Sequence, residues 1–220
     1  MVAYYPVFLQ LNHKKCVVVG GGEVAERKVN SLLQSGAEVE VISPDLCSGL
    51  RQAAQKGLVR VVARKFNPGD LEGAFLAIAA TDDRQVNSSV AQEAQKNGIL
   101  VNVVDDPAQC TFIVPAVLRR GDLALAVSTS GRSPVLAKKI REKLEQYFGQ
   151  EYALLLDLLS EVHLEFSAKG QQIPPQVWED CLAPDFLDLL RRGEKDVARN
   201  RLLASPNPIS PLTKGKGARR

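Results

Sequence analysis

Metal-binding side chains are scarce in this sequence. It has two histidines, His13 and His163, and four scattered cysteines, Cys16, Cys47, Cys110 and Cys181, with no Cys-x-x-Cys pair and no histidine at ligand spacing. A zinc-finger-type site and a disulfide framework are therefore excluded, and metal ligands are read as none. Cys16 sits in an apolar run and reads as a buried, inert thiol. His163 lies among leucines and reads as a packed or surface histidine.

Long apolar runs are also lacking. None approaches the roughly 18 residues that span a bilayer, and Met1–Leu11 has no basic stretch leading into the apolar core of a secretion signal. The expectation is a cytoplasmic protein with no membrane partner. Excess charge of one sign is missing as well. The formal charge is +3, but Lys214, Lys216, Arg219 and Arg220 crowd the last seven positions; without them 24 bases face 25 acids, a balance of −1. A nucleic-acid binder carries its positive charge on the folded body, so no nucleic-acid partner is expected.

With 45% hydrophobic and 24% charged residues, the composition is that of a globular protein. A chain of this length buries roughly 70% of its unfolded surface. From Lys14 to Asn102, short β-branched runs alternate with helical stretches, the pattern of a parallel sheet covered by helices. The runs are Cys16–Val19, Val39–Ser43, Val59–Ala63, Ala74–Ala79 and Leu100–Val104, and the helical stretches are Glu23–Ser35, Leu46–Lys56 and Arg84–Asn97. Gly36 and Gly98 follow two of these stretches, where a left-handed cap favours glycine.

After Val104 the texture changes. Phe112–Arg119 and Leu123–Ser128 read as strands around Gly121-Asp122, with a helix from Ser133 to about Phe148. Helical periodicity returns from Glu151 to about Leu203, with one stripe of Leu154, Leu155, Leu158, Leu159 and Val162 and another of Phe186, Leu187, Leu189 and Leu190. The fold class is α/β: a Rossmann-like doubly wound parallel sheet, then a small α+β dimerisation domain, then a C-terminal helical region. The expected divisions are 1–113 for an NAD-binding domain, 114–150 for a dimerisation and substrate domain, 151–204 for the helical region and 205–220 for a disordered basic tail rich in proline and glycine.

The strongest local signal is Val17-Val18-Val19-Gly20-Gly21-Gly22-Glu23-Val24-Ala25, a Gly-x-Gly-x-x-Ala pattern between an apolar strand and a helix. Gly20 permits the tight turn, Gly22 lets a pyrophosphate approach the backbone, and Ala25 packs the helix on the sheet. The helix N-terminus, Glu23 and Val24 included, presents N–H groups to phosphates. About twenty residues on, where an acidic side chain holds the ribose of NAD, the chain has Ser43-Pro44-Asp45, with no arginine adjacent to meet the 2′-phosphate of NADP. The expected cofactor is NAD.

Ala79-Ala80-Thr81-Asp82-Asp83 ends the fourth strand, where Thr81 or Asp82 serves either as a ligand contact or as a helix cap. Val103-Val104-Asp105-Asp106-Pro107 ends the fifth and puts at least one carboxylate at the cofactor crevice; periodicity does not choose between Asp105 and Asp106. Ser128-Thr129-Ser130-Gly131-Arg132-Ser133-Pro134 is a hydroxyl-rich loop with Ser133 as N-cap and Pro134 at the first helical position, and with Arg132 it suits carboxylates.

Together these motifs resemble the precorrin-2 dehydrogenase family, which includes the N-terminal region of sirohaem synthases; some members are also sirohydrochlorin ferrochelatases and some are fused to a methyltransferase. The resemblance covers about residues 1–148. It rests on Tyr5-Pro6-Val7-Phe8, Gly20–Lys28, Ala79–Asp83, Asn102-Val103-Val104-Asp105 and Ser130–Ala137. It implies oxidation of precorrin-2 to sirohydrochlorin with NAD⁺, on an intertwined homodimer whose tetrapyrrole lies between the two domains. It also implies that Asp105 is the catalytic residue. The carboxylate arms of such a substrate give Ser128, Ser130, Gly131, Arg132 and Ser133 a purpose as its contacts, and Asn102 is expected beside it as well. In two-function members the same aspartate serves metal insertion, which keeps a bifunctional enzyme as the alternative; 220 residues leave no room for the methyltransferase. A non-catalytic NAD-sensing module would not need Asp105 or the hydroxyl loop, and a purely structural partner protein would leave the glycine turn without a purpose.

Overall fold

A computed structural model describes residues 4–204 of the chain. The expected basic tail, 205–220, lies outside the described residues. The chain divides into two compact units, one formed by the described residues up to Val114 with Thr129–Ser133, the other by Pro115–Ser128 and the described residues from Pro134 onward. The residues expected as a middle domain, 114–150, and those of the C-terminal helical region, 151–204, thus fall mostly in one unit, with Val114 and Thr129–Ser133 in the other.

The first unit is built on five parallel strands in the order β3-β2-β1-β4-β5: β1 Lys15–Val19, β2 Glu38–Ile42, β3 Val59–Val62, β4 Leu76–Ala79 and β5 Leu100–Val103. Helices α1 Glu23–Leu33, α2 Ser48–Gln55 and α3 Arg84–Lys96 connect them. Each strand begins or ends within two residues of its expected limits, because β-branched residues buried on both faces mark a parallel strand strongly. Alternation along the strands divides the core in two. Cys16, Val18, Val39, Val41, Leu76 and Ile78 pack with Ala25, Val29 and Leu32 of α1, whereas Val17, Val19, Ala77, Ala79, Val101 and Val103 pack with Val90, Ala91 and Ala94 of α3. Each fully buried valine or leucine contributes about 1.5–3 kcal/mol. Gly36 and Gly98 close α1 and α3 with φ of 75° and 68°, in the left-handed region expected of them.

The second unit opens with an antiparallel hairpin, β6 Ala116–Arg120 and β7 Leu123–Val127, turned at Gly121 with φ 55°. Two expectations need correction. The first strand starts at Ala116 rather than Phe112, because Pro115 has no N–H for a ladder, and Phe112 instead packs against the α1 side of the parallel sheet. The second stops at Val127, one residue before Ser128.

Helices α4 Pro134–Tyr147, α5 Glu151–Ala168, α6 Pro175–Asp180, α7 Pro184–Arg191 and α8 Lys195–Leu203 complete the unit. Its core is Leu155, Leu158, Val162, Phe166, Val177, Phe186, Leu187, Leu190, Ala198 and Leu202. Of the two expected stripes, Leu154 alone is largely exposed. Glu151, buried at the start of α5, is held by Arg191 of α7 at 2.6 Å.

Candidate active site

The turns after β1, β2, β4 and β5 all leave the carboxyl edge of the parallel sheet, the edge where open α/β sheets bind ligands. Topology therefore brings Gly20–Gly22, Ser43–Asp45, Thr81–Asp82 and Asp105 to one edge. A hollow of about 800 Å³ lies at the other end of the strands, lined by His13, Lys14, Lys15, Glu38 and Phe75 among others. The amino edge of such a sheet lacks the helix N-termini and glycine turn that hold a dinucleotide, so the carboxyl edge is the candidate site.

The three glycines have separate reasons. Gly20 has φ 126°, and a Cβ there would stand 2.2 Å from the Ala80 carbonyl oxygen. A Cβ on Gly21 would stand 1.8 Å from the Asp45 carbonyl oxygen and 2.6 Å from Ser43 Oγ. The fold itself needs both. Gly22 is different: it is the N-cap of α1 with an ordinary φ of −83°, and no atom lies within 4 Å of where its Cβ would be. Among the described residues nothing fills that space and no side chain caps the helix, so its first N–H groups, those of Glu23 and Val24, have no side-chain cap. The residues present fit a dinucleotide pyrophosphate. Ala25 is fully buried as expected. Glu23 is exposed and offers a phosphate only its backbone N–H, since its carboxylate repels one.

At the end of β2, Ser43 is buried and its hydroxyl donates to the Asp45 carbonyl at 2.7 Å, while the Gly21 carbonyl accepts from the Cys47 amide at 2.7 Å. Ser43 thus braces the loop against the glycine turn and leaves Pro44 and Asp45 exposed beside it. At the end of β4 the helix cap is neither Thr81 nor Asp82: Asp83 caps α3, its carboxylate accepting from Gln85 N and Val86 N at 2.9 and 3.2 Å. The cap moves one residue on because Thr81 is engaged elsewhere. Its hydroxyl meets Asn87 Oδ1 at 2.8 Å, and the Asn87 amide donates to the Thr81 carbonyl at 2.9 Å. Asn87 escaped the sequence reading; the signal was a polar residue on the buried stripe of α3. Asp82 remains exposed.

After β5 the two aspartates part. Asp106 accepts from Gln109 Nε2 at 2.6 Å and is absorbed into the turn. Asp105 has φ 59°, left-handed for a residue with a side chain; its carboxylate is exposed and, among the described residues, takes no hydrogen bond. Such a conformation costs on the order of 1–3 kcal/mol and persists where the surroundings enforce it. Here the enforcement comes from Cys110, which accepts from the Val103 amide at 3.2 Å and meets the Val103 and Asp106 carbonyls at 3.3 Å. Burial pushes the Cys110 thiol up and so keeps it neutral. Asn102, expected at the substrate, is buried, and its amide donates to the Phe112 carbonyl at 3.1 Å, tying down the segment that returns along β5.

Lys28 of α1 was also missed as a separate residue. It is half-buried, and burial, then the neighbouring Arg27, hold its amine below the ordinary lysine range.

In the hydroxyl loop, Ser130 and Gly131 are consecutive left-handed residues, with φ 54° and 77°. Thr129 clasps the loop, accepting from the Ser133 amide and donating to the Ser133 carbonyl, both at 3.0 Å. The fold groups Thr129–Ser133 with the parallel-sheet unit and Ser128 with the second unit. Arg132 is exposed and forms no ion pair among the described residues. Helix α4 starts at Pro134, as expected. Among the described residues no three His, Cys, Asp or Glu side chains gather into a metal site.

Comparison with known proteins gives a family model described as "Putative NAD(P)-binding" over residues 7–116, and a second, "Sirohaem biosynthesis protein central", over 120–147. The siroheme synthase of Photobacterium profundum is 40% identical over 94% of this chain and 45% of its own length. That of Photorhabdus laumondii is 49% identical over 90% of this chain and 43% of its own length. The chain thus spans less than half the length of these relatives. A solved precorrin-2 dehydrogenase superposes with a TM-score of 0.75 at 28% identity, over 91% of this chain and 99% of that one. The glycine turn and the five-stranded order β3-β2-β1-β4-β5 are the geometry of such a nucleotide-binding sheet. With the first model matching half of its length, this chain belongs to the NAD(P)-binding family which that model describes, and residues 120–147 are similar to the sirohaem-biosynthesis central region.

Proposed function

We propose that the chain oxidises precorrin-2 to sirohydrochlorin, with NAD⁺ as acceptor and Asp105 as the catalytic carboxylate. The observation that carries this reading is Asp105 itself: a strained, exposed carboxylate with no hydrogen bond among the described residues, on the sheet edge that carries the open Gly22. The oxidation removes two hydrogens from the macrocycle, one as hydride and one as a proton. NAD⁺, bound at the glycine turn, supplies the hydride acceptor. Asp105 takes the proton, since among the described residues its carboxylate is not spent on a neighbour. Asp45, exposed beside Gly21, favours the ribose hydroxyls of NAD and repels a 2′-phosphate. Ser128, Ser130, Gly131 and Ser133, with Arg132, receive the carboxylate arms of the substrate.

The names of the relatives and of the solved structure support the substrate. Four free cysteines suit the reducing cytoplasm, and among the described residues no helix is long and apolar enough to cross a membrane. Tyr5 at 87%, Phe8 at 73% and Val135 at 70% exposure support a homodimer that covers them.

The test is NADH formation by the purified chain with precorrin-2. We expect turnover with NAD⁺, less with NADP⁺, and a fall in kcat on the order of 100-fold or more for Asp105→Asn, the scale of general base catalysis. Equal rates for the variant and the unmodified chain would remove Asp105 from the chemistry, and no NADH from either would remove the dehydrogenase.

A further inference from the structure

We infer that Glu26 of α1 helps to set the choice of cofactor: its carboxylate stands over the first turn of α2, beside the loop that meets the ribose, and turns away the 2′-phosphate of NADP. The inference rests on the reading of the carboxyl edge as a dinucleotide site. It deepens that reading by a residue outside both the glycine turn and Ser43–Asp45.

Position comes first. Ala25 is buried where α1 packs on the sheet, and Glu26 beside it is half-buried. The Glu26 carboxylate accepts from the Cys47 thiol at 3.0 Å, and Cys47 is the N-cap of α2. Gly49 lies in the first turn of that helix, and a Cβ there would collide with the Glu26 carboxylate. Glycine at 49 therefore leaves the room that the carboxylate occupies.

Cys47 also joins this helix end to the cofactor turn. Its amide donates to the Gly21 carbonyl at 2.7 Å, two residues after Asp45, whose own carbonyl is held by Ser43. The glycine turn, the loop after β2 and the start of α2 thus form one hydrogen-bonded block, with the Glu26 carboxylate bonded to it. In a doubly wound sheet the end of the second strand is where the ribose hydroxyls of NAD are recognised, and where an arginine accommodates the 2′-phosphate of NADP. Here a carboxylate is held at that block instead.

Charge comes second. The amino end of a helix carries partial positive charge and N–H groups without helical partners, so it draws an anion. In this chain the anion over α2 belongs to the protein. Among the described residues Glu26 forms no ion pair, and neither does Arg51, one turn into α2. Burial, and then the bond to Glu26, push the Cys47 thiol up, so it keeps its proton and serves as the donor. A second anion brought to this block by NADP meets the Glu26 charge, whereas the ribose hydroxyls of NAD do not.

The test is the affinity of the purified chain for NAD⁺ and for NADP⁺, each by calorimetric titration without substrate. The unmodified chain should bind NAD⁺ more tightly. Glu26→Gln, of the same size without the charge, should bind NADP⁺ on the order of tenfold more tightly while its NAD⁺ affinity stays within about threefold. The retained NAD⁺ affinity shows that the variant is folded. Glu26→Asp, which keeps the charge, should keep NADP⁺ weak. An unmoved NADP⁺ affinity in Glu26→Gln, equal changes for both cofactors, or a Glu26→Asp that behaves like Glu26→Gln overturns the inference while the dinucleotide reading stands. Equal affinity of the unmodified chain for the two cofactors overturns it too. If the unmodified chain binds neither, the dinucleotide reading itself fails and the inference falls with it.

Discussion

Two residues that a motif treats alike behave differently once their neighbours are known. Gly20 is fixed by its φ and by the Ala80 carbonyl, so any side chain there acts on the fold. Gly22 has an ordinary backbone and empty space beside it, so a methyl group there meets only what binds. We expect Gly22→Ala to leave Tm nearly unchanged and to weaken NAD⁺ binding about tenfold or more, read by calorimetric titration; a fall in Tm with unchanged affinity would make Gly22 a folding residue instead. Arg132 belongs to the same scale. Among the described residues its exposed guanidinium forms no ion pair and stands beside two left-handed residues, which supports the proposed contact with ligand carboxylates. Arg132→Ala should raise KM for the macrocycle several-fold with little change in kcat, the signature of lost uniform binding.

Among the elements, the clasp between α5 and α7 makes a pH prediction. Burial pushes Glu151 up, but the hydrogen bond from Arg191, backbone amides at the helix start and the Arg191 charge together outweigh it, so the carboxyl sits below its ordinary value. A lowered carboxyl contributes stability above its unfolded value and loses it as pH falls through the folded one. Glu151→Gln should therefore lower Tm at neutral pH, with the difference from the unmodified chain closing in acid; a constant difference would assign the effect to packing. The elements themselves were legible where a single local rule governs. Valine runs gave the parallel strands, and glycines gave the ends of α1 and α3. The α3 cap was misread by a residue or two because Thr81 is claimed by Asn87, a tertiary contact that no spacing reveals. Phe112 extended a strand on paper, whereas its burial against α1 and the imino group of Pro115 decide otherwise. At the candidate site, the glycine turn was readable from its order along the chain. The strain at Asp105 and the bracing roles of Ser43 and Asn102 depend on what folds back beside them, and that is set by segments distant in sequence.

For the whole molecule, the division into two units gives each its own buried core, and the glycine turn belongs to the first. Leu158 is fully buried in the core of the second unit, far in sequence from the glycine turn. Leu158→Ala should cost about 2–5 kcal/mol of that unit's stability, measured by urea unfolding, while NAD⁺ affinity stays within about twofold; a parallel loss of affinity would show that the units stand or fall together. The return of the chain beside β5 has a further consequence. Thr111 gives its amide to the Val101 carbonyl at 2.9 Å and its hydroxyl accepts from the Val101 amide at 2.8 Å, so a border strand that would otherwise offer a row of unmet peptide groups is sealed by its own polypeptide. A sealed border gives no template for a stray strand from another molecule. The segment that follows Asp105, the proposed catalytic carboxylate, is thereby also a guard against aggregation, and a substitution that loosened it would be felt first as poor solubility.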